Sequence, residues 1–257
     1  MLPKNLTRLK EPRWIATDLD GTLIRRHQKG GSLPATWRET ESGASVPSSW
    51  ICRNTRTLIK ALARQFGIIP VTARDFSSFC RVAIPGLPFG EGAVLANGAI
   101  LLKPDSMVPD SEHDAWIESI LGSWKDILND VIRQIQDLRQ DQNIQARLVA
   151  SNVKLPAYLV LKADDGFWSD ERGQSAQKIL QSSGLRTARL GREIQALPPG
   201  LSKQMGVEAF ARRFRGGTLP FLGFGDTQED LGFLGLSDFI AVPRSSPLAE
   251  RLHDPKP

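Results

Sequence analysis

The chain has 257 residues, of which 40% are hydrophobic and 24% are charged. This composition is typical of a soluble globular protein, and the length suffices for one large domain or two smaller ones. The net charge is +5, but the basic residues are scattered and not interleaved with aromatic residues, which argues against a nucleic-acid-binding protein. No apolar run is long enough to span a membrane, so we expect no membrane partner.

Two further features predict a cytoplasmic protein. Cys52 and Cys80 are too few for a disulfide framework, so we expect two reduced thiols. The first fourteen residues, MLPKNLTRLKEPRW, lack the apolar segment of a signal peptide. The sequence does not indicate an oligomeric state.

The first hundred residues predict alternating strands and helices. Residues 14–17 (WIAT) form a buried strand, whereas residues 25–51, rich in Gly, Ser, Thr, Pro and charge, form a long loop or a small flap. A helix is predicted over 54–65, with an apolar face made by Leu58, Ile59, Leu62 and Phe66. There follow a strand ending at Thr72, a short helix over 75–84 and a strand pair over 93–102 with a turn at Asn97–Gly98. This alternation favours a parallel α/β sheet.

The pattern changes near residue 105. A single long amphipathic helix is predicted over 113–140, and its apolar stripe consists of Trp116, Ile120, Trp124, Ile127, Leu128, Val131, Ile135 and Leu138. The next predicted elements are strands over 146–151 and 157–163, a helix over 170–183, and strands over 186–190 and 193–198. Because helix–strand–strand order occurs twice, we predict an inserted α+β domain over 104–198.

The alternating order resumes after this insertion. The sequence predicts a helix over 202–214, a strand ending at Asp226, a helix over 227–236 and a last short strand over 238–243. The predicted fold is therefore an α/β, Rossmann-like core with a parallel sheet. Residues 1–103 and 199–257 form this core, and the insertion divides it.

Polar residues follow several predicted strands at the point where each strand ends. They are Asp18 and Asp20, Thr72, and Asp226 with Asp230. Because the carboxyl ends of parallel strands meet in one crevice, we expect these groups to lie together. Neighbouring carboxylates repel one another, and Mg²⁺, which prefers oxygen ligands and substrate phosphate, relieves that repulsion. Lys203, at the start of a predicted helix, is the best candidate for a phosphate-binding cation.

Four short motifs occur in order along the chain: DLDGTL at 18–23, PVTAR at 70–74, LSKQMGVEAF at 201–210 and GFGDTQEDLGFL at 223–234. They resemble the four motifs of the haloacid dehalogenase superfamily of phosphohydrolases. LANGA at 95–99 is similar to an Asn-Gly turn of the subfamily with a large C2-type cap, which includes sucrose-phosphate, mannosyl-phosphoglycerate, trehalose-phosphate and Cof-type phosphatases. That subfamily has its cap between the second and third motifs, where the insertion is predicted here.

The resemblance implies a phosphatase that acts through an aspartyl-phosphate. Asp18 is then the nucleophile and a Mg²⁺ ligand. Asp20 is the general acid and base, with its backbone carbonyl on the metal. Thr72, Ala73 and Lys203 hold the phosphoryl oxygens.

The resemblance also implies further metal and substrate contacts. Asp226 is a metal ligand, and Asp230 either holds metal-bound water or orients Lys203. Arg74 and Asn97 are candidate substrate contacts. The cap selects the small phosphorylated substrate, and its predicted strands and their connections carry the cations Arg147, Lys154, Lys162, Arg189 and Arg192. A sugar phosphate or a phosphoglycerate derivative is the substrate class that the resemblance favours.

The sequence departs from the family pattern at two places, and several alternatives stay open. The second motif contains Thr-Ala-Arg where the subfamily usually has Thr-Gly-Arg, and residues 25–51 form an unusually long segment. Each site residue also has a purely structural alternative as a helix cap, a turn or a solvated position. The alternative functions are a phosphomutase or phosphotransferase with the same aspartyl-phosphate, a non-catalytic binding module of this fold, and a nucleic-acid-binding protein.

Overall fold

The computed structural model describes residues 13–28, 30–87, 89–138 and 144–253. In chain order, the strands are β1 (Trp14–Thr17), β2 (Leu33–Glu39), β3 (Ser45–Ile51), β4 (Gly67–Pro70), β5 (Ala93–Leu95), β6 (Ile100–Leu102), β7 (Ile144–Ala150), β8 (Pro156–Ala163), β9 (Arg186–Leu190), β10 (Glu193–Leu197), β11 (Leu222–Phe224) and β12 (Phe239–Ala241). The α-helices are α1 (Arg53–Leu62), α2 (Phe76–Phe79), α3 (Ser111–Leu121), α4 (Lys125–Asp137), α5 (Asp165–Ser169), α6 (Glu171–Ser182), α7 (Lys203–Phe214), α8 (Leu231–Leu234) and α9 (Pro247–His253). The cysteines Cys52 and Cys80 are free and exposed.

A parallel sheet forms the centre of the molecule and confirms the predicted α/β class. Its strand order is β12-β11-β1-β4. Of the two strands that flank β1, β4 precedes the inserted segment in the chain and β11 follows it. Every residue of β1 is fully buried, as expected for a strand covered on both faces. Ile15 packs in one apolar cluster, whereas Trp14 and Ala16 pack in another on the opposite face, beside α7 and α8.

The inserted segment forms a second sheet. It is antiparallel, with the order β7-β8-β10-β9, and α4, α5 and α6 pack on one of its faces. Alternate residues of its strands, such as Leu159, Leu161 and Ile194, point into the apolar cluster beneath these helices. The opposite face is therefore free to cover another part of the molecule. We call this antiparallel sheet and its helices the cap.

Residues 25–51 are not an irregular loop, because most of them form an antiparallel hairpin of β2 and β3. Of the two structures predicted for this segment, a long loop or a small flap, the hairpin agrees with the flap. The hairpin is fixed to the core at both edges: the backbone N–H of Ala83 donates to the carbonyl of Ala35 at 2.9 Å, and the N–H of Arg25 donates to the carbonyl of Trp50 at 2.9 Å.

The prediction of one helix over 113–140 is wrong. The structure has α3 and α4, which are separated by a turn at residues 122–124, and residues 139 and 140 lie outside the described residues. The helices bury different faces: Ile117 and Leu121 of α3 pack with the α/β core, whereas Leu128 of α4 packs inside the cap. One continuous apolar pattern thus serves two clusters.

Three residues that were predicted to pack lie at the surface. Leu58, Trp116 and Ile127 are 50%, 41% and 36% exposed, because each flanks the residue that its helix buries. Those buried neighbours are Ile59, Ile117 and Leu128.

Several predicted elements are shorter than expected. β4 ends at Pro70 because Thr72 turns away to donate its N–H to the carbonyl of Val94, at 2.9 Å. The strand predicted to end at Asp226 stops at Phe224, and the helix predicted over 75–84 is only α2. The last predicted helix divides into a 3₁₀ turn over Gln228–Asp230 and α8.

The α/β core and the cap share one apolar cluster. Leu19, Ile24 and Ile68 of the core belong to the same cluster as Ala157 and Val160 of the cap sheet. The cap is therefore packed against the core instead of being held by its linkers alone. Among the described residues, no helix is long and apolar enough to cross a membrane. The first twelve residues, which carry most of the predicted N-terminal segment, lie outside the described residues.

Candidate active site

The polar residues at the strand ends meet at one edge of the parallel sheet. Asp18 directly follows β1, Thr72 lies two residues after β4, and Asp226 lies two residues after β11. All three are buried, with no more than 7% of their surface exposed. Parallel pairing of β1 with both neighbours places these positions side by side, as the sequence predicted for a carboxyl-end crevice.

Lys203 lies at the centre of the cluster. The hydroxyl of Ser202 accepts the backbone N–H of Met205 at 3.1 Å and caps α7, so that Lys203 is its first residue. The Lys203 Nζ donates to Oδ1 of Asp18 and to Oδ1 of Asp230, both at 2.7 Å. Burial alone would lower the pKa of Lys203, but the charges of Asp18 and Asp230 outweigh it and raise this pKa. The side chain is thus a fixed ammonium ion.

Both carboxylate oxygens of Asp230 are occupied. One accepts from Lys203, and the other accepts from the backbone N–H groups of Asp226 and Thr227, at 2.9 and 3.0 Å, and from the Thr227 hydroxyl at 3.1 Å. Burial would raise the pKa of Asp230, but Lys203 and these hydrogen bonds lower it below its ordinary value. Asp230 is therefore an ionised anchor that orients Lys203 and the loop after β11.

Asp18 and Asp226 are not fully compensated by the cation. The hydroxyl of Thr22 lies 3.0 Å from Oδ2 of Asp18 and 3.2 Å from Oδ1 of Asp226. Burial raises the pKa of Asp18 to about 8, against the opposing charge of Lys203. Burial and the charge of Asp230 raise the pKa of Asp226 to about 6. Both carboxyls therefore hold their protons more tightly than an ordinary aspartate does, and a further positive charge bound nearby would favour their ionised forms.

The cluster has the chemistry of a divalent cation site. Oxygen atoms of Asp18, Asp226 and Asp230 lie within 4.8 Å of one another, and one ammonium ion faces three carboxylates. A hard dication with oxygen ligands neutralises this excess negative charge, and Mg²⁺ is held in such sites by few carboxylates together with water and phosphate. The residues present thus fit Mg²⁺.

Gly21 is required by the close approach of two strand ends. Its φ is +93°, and a Cβ atom there would lie 2.0 Å from Oδ2 of Asp226. Only glycine combines this left-handed backbone with the absence of a side chain. The DLDGT sequence therefore positions Asp18 and Asp226 through a glycine between them.

Asp20 and Arg74 form a bidentate ion pair at the mouth of the site. Nε and Nη2 of Arg74 donate to the two carboxylate oxygens of Asp20, at 2.6 and 2.7 Å. The Asp20 side chain is 49% exposed, in contrast to the buried Asp18. Asp20 thus lies on the solvent-exposed side of the cluster and lines the cavity there.

Ala73 and Asn97 connect the core to the cap. The buried hydroxyl of Tyr158, on β8, donates to the backbone carbonyl of Ala73. Asn97 has φ +54° in the turn between β5 and β6, and its Nδ2 donates to Oε1 of Gln195 on β10, at 3.1 Å. Asn97 does not line the cavity described next, so its predicted substrate contact remains a prediction.

A cavity of about 980 Å³ lies above the cluster. The core forms its floor with Asp18, Asp20, Thr72, Lys203 and Asp226. The roof is the face of the cap sheet opposite its helices, with Arg147, Tyr158, Val160, Lys162, Glu193 and Gln195. Among the five cap cations that the sequence singled out, Arg147, Lys162 and Arg192 line the cavity, whereas Lys154 and Arg189 do not.

The hairpin forms a third wall of this cavity. Trp37, Arg38, Ser48 and Ser49 line it from the side. A second cavity, of about 510 Å³, lies beside α2 and is lined mainly by apolar side chains such as Phe79 and Leu87. The charged groups of the site therefore belong to the larger cavity.

No protein-family profile matches the chain, and no curated protein matches it. Solved structures do. A haloacid dehalogenase-like hydrolase from Bacteroides thetaiotaomicron aligns with 12% identity over 96% of this chain and 100% of that chain, with a TM-score of 0.54. The sucrose-phosphatase of Synechocystis, solved with sucrose and phosphate, aligns with 14% identity over 95% and 88% of the two chains, with a TM-score of 0.52. The chain has the haloacid dehalogenase-like fold.

The C-terminal domain of a trehalose-6-phosphate phosphatase from C. albicans is similar in structure as well. It aligns with 14% identity over 88% of this chain and 73% of that chain, with a TM-score of 0.54. At identities of 12% to 14%, these similarities concern the fold alone.

Sequence reasoning missed several residues of the site in this haloacid dehalogenase-like fold. Thr22 lies inside the first motif, and its position next to Asp18 was the available signal. Tyr158 is the only tyrosine of the chain, but nothing in its strand pattern indicates a hydrogen bond to residue 73. Arg38 and Arg81 line the cavity only because the hairpin packs beside α2, which no local pattern reveals.

Proposed function

We propose that the protein is a Mg²⁺-dependent phosphatase that hydrolyses a small phosphorylated metabolite through an aspartyl-phosphate on Asp18. The observation that carries the proposal is the ammonium of Lys203, held at 2.7 Å between Asp18 and Asp230 on the floor of a cavity. A carboxylate nucleophile beside a fixed cation and a hydroxyl suits phosphoryl transfer, in which catalysis is mainly positioning and charge stabilisation.

Asp18 and Asp226, with the backbone carbonyl of Asp20, would hold the Mg²⁺ ion. When bound, the ion neutralises negative charge on the phosphoryl oxygens as a Lewis acid. Asp230 orients Lys203, since both of its oxygens already accept hydrogen bonds. These contacts support the second of the two roles that the sequence left open for Asp230, the orientation of Lys203.

The reaction has two displacements at phosphorus. A carboxylate oxygen of Asp18 attacks the phosphorus atom, and the bond to the leaving oxygen breaks as Asp20 donates a proton to it. Water then attacks the phosphorus of the acyl phosphate, Asp20 takes a proton from that water, and the Asp18 carboxylate leaves. Lys203 and Thr72 hold the phosphoryl oxygens, and Arg74 keeps Asp20 above the site.

The substrate class that we propose is a sugar phosphate or a phosphoglycerate derivative. The cavity volume of about 980 Å³ suits a small metabolite, and polar side chains line most of it. Two solved proteins of the same fold are named for phosphorylated sugars, sucrose-phosphate and trehalose-6-phosphate. Their names support a phosphorylated sugar or a related acid here.

The test is phosphate release from p-nitrophenyl phosphate and a panel of phosphorylated metabolites, with Mg²⁺ and with a chelator. We expect release that requires Mg²⁺ and that is abolished in Asp18→Asn, because a neutral amide is a poor nucleophile. Asp137→Asn, on the exposed outer face of α4, is the matched control and should retain full activity.

Two outcomes would contradict the proposal. Activity retained in Asp18→Asn would exclude the covalent mechanism. Absence of phosphate release from the folded wild-type protein, combined with transfer of the phosphoryl group to an added sugar, would indicate a phosphotransferase instead.

A further inference from the structure

The cavity contains more positive charge than its carboxylates can neutralise. Of its acidic residues, Asp20 pairs with Arg74, Asp18 binds Lys203, and Asp226 belongs to the metal site. Glu193, in the roof, accepts a hydrogen bond from Nε2 of Gln195 at 3.2 Å, and Asp75 caps α2. Several arginines that line the cavity have no described carboxylate within ion-pair distance: Arg25, Arg26, Arg38, Arg81 and Arg147. Unpaired guanidinium groups in one cavity repel each other and favour an anion between them.

Two of these arginines, Arg38 and Arg81, lie on segments that are joined where the hairpin packs against α2. The backbone N–H of Trp37 donates to the carbonyl of Arg81 at 3.4 Å, which brings β2 and its Arg38 beside residue 81. Nη2 of Arg81 donates to the hydroxyl of Ser78 at 2.9 Å. Arg74 also donates to Ser78, at its carbonyl, so the region adjoins the catalytic mouth.

The third arginine reaches the same region from the cap. Arg147 lies opposite Val160 on the cavity-facing side of the cap sheet, and Tyr158 is on that side too. The bond from Tyr158 to the Ala73 carbonyl holds this face directly over the start of α2. We call Arg38, Arg81 and Arg147 the arginine trio.

Asp75, at the start of α2, supplies one negative charge beside the arginine trio. Its Oδ1 accepts the N–H of Ser78 at 2.7 Å and the hydroxyl of Ser77 at 3.1 Å, as the cap of α2. The pKa of Asp75 is lowered, against the effect of its burial, by these bonds and by the charge of Arg147. The single negative charge of Asp75 thus caps the start of α2, whereas the three positively charged guanidinium groups of the arginine trio line the same cavity.

We infer that the substrate carries a second anionic group in addition to its phosphoryl group, and that Arg38, Arg81 and Arg147 bind it. A guanidinium offers only donors, in a planar fork that matches a carboxylate or a phosphate. The three side chains are exposed to solvent, and an anion would form charge-assisted hydrogen bonds with them that a neutral sugar hydroxyl cannot form. The inference rests on the proposed phosphatase function and narrows its substrate class to phosphorylated acids or bisphosphates.

Competition against p-nitrophenyl phosphate hydrolysis in the presence of Mg²⁺ tests the inference. The inhibitors are glucose 6-phosphate, 6-phosphogluconate, which replaces the aldehyde end by a carboxylate, and glucose 1,6-bisphosphate. We expect at least one doubly anionic compound to inhibit at a concentration about tenfold or more below that of glucose 6-phosphate, as charge-assisted bonds predict. The compound that does so distinguishes a carboxylate from a phosphate.

Variants assign this preference to the arginine trio. Arg81→Gln and Arg147→Gln should each reduce the preference for the second anion about tenfold, with little effect on inhibition by glucose 6-phosphate. Arg212→Gln, an exposed arginine on the outer face of α7, is the matched control and should keep the wild-type preference.

Equal inhibition by all three compounds, or a preference unchanged in both cavity variants, would overturn the inference. If the proposed function is wrong, the protein does not hydrolyse p-nitrophenyl phosphate. Calorimetric titration of the wild-type protein with the same three compounds then tests the inference by itself. Equal affinity for glucose 6-phosphate and for the two doubly anionic compounds would reject the inference.

Discussion

Gly21 shows how one residue sets the distance between two buried carboxylates, those of Asp18 and Asp226. Its missing side chain lets Asp226 approach the turn that carries Asp18, and Thr22 next to it bonds to both. Any larger residue would have to displace Asp226 as well as adopt a left-handed backbone. The constraint is therefore steric and conformational together.

We predict that Gly21→Ala loses more stability than a glycine replacement that has the conformational cost alone. Gly31 has φ +73° and no neighbouring atom within 4 Å of a new Cβ, so Gly31→Ala should cost about 1 to 2 kcal/mol. The contact with Asp226 should add about 1 to 3 kcal/mol in Gly21→Ala. Urea unfolding of both variants measures the difference, and equal losses would show that Asp226 moves aside freely.

The residue scale is also where the sequence was most informative. Asp18, Thr72, Lys203 and Asp226 were predicted to meet because each follows a strand or starts a helix at the same edge, and the structure places them there. The hydrogen-bond partners within the cluster were not predictable. The sequence is compatible with an Asp230 that orients Lys203 and with one that holds metal-bound water, and only the contacts of its two carboxylate oxygens distinguish these roles.

At the scale of elements, the division between α3 and α4 explains why one prediction failed. The apolar spacing continues across the turn at residues 122–124, so periodicity alone predicts a single helix. The break exists because Ile117 and Leu121 pack on the core, whereas Leu128 and Val131 pack within the cap. Periodicity identifies a buried face but not the partner that buries it.

Strand β8 holds the cap over the core through Tyr158. We predict that Tyr158→Phe lowers the free energy of unfolding by about 1 to 3 kcal/mol, since the carbonyl of Ala73 loses its donor inside the protein. The phenyl ring keeps the packing of the tyrosine, so the loss reports the hydrogen bond.

Denaturant unfolding of the wild type and Tyr158→Phe measures this value. Thr187→Ser, on an exposed position of β9, is the control and should change stability by less than about 0.5 kcal/mol. A similar small change in Tyr158→Phe would mean that water replaces the lost donor.

At the scale of the whole molecule, two segments on either side of the cap build one site, since Thr22 and Asp226 are 204 positions apart. The change of pattern near residue 105 and the order of the motifs made this division predictable. The hairpin wall was not predictable in the same way. Arg38 and Arg81 become neighbours of the cavity through tertiary packing, and neither lies in a recognisable motif.

The buried carboxyls also connect the stability of the whole chain to pH. In the metal-free protein the pKa values of Asp18 and Asp226 rise from 3.8 to about 8 and about 6. Because the folded chain binds these protons more tightly, their contribution to stability is full below pH 3.8 and is lost as the pH rises through about 6 and about 8. Bound Mg²⁺ should offset this loss.

We therefore predict that Mg²⁺ raises Tm more at pH 8 than at pH 5, because protons compete with the metal at low pH. Each kcal/mol of added stability should raise Tm by about 2 to 4 °C. Thermal unfolding with and without Mg²⁺ at both pH values measures the effect. Asp226→Asn should largely remove it, whereas a rise in Tm that is the same at both pH values would contradict the prediction.

The shared apolar cluster also sets what an opening of the cap would expose to water. Ala157 and Val160 of the cap are packed with Leu19 and Ile68 of the core, and each Å² of apolar surface exposed by lifting the cap costs about 25 cal/mol. A motion of the cap that keeps this cluster buried therefore costs less free energy than a motion that separates the cap from the core.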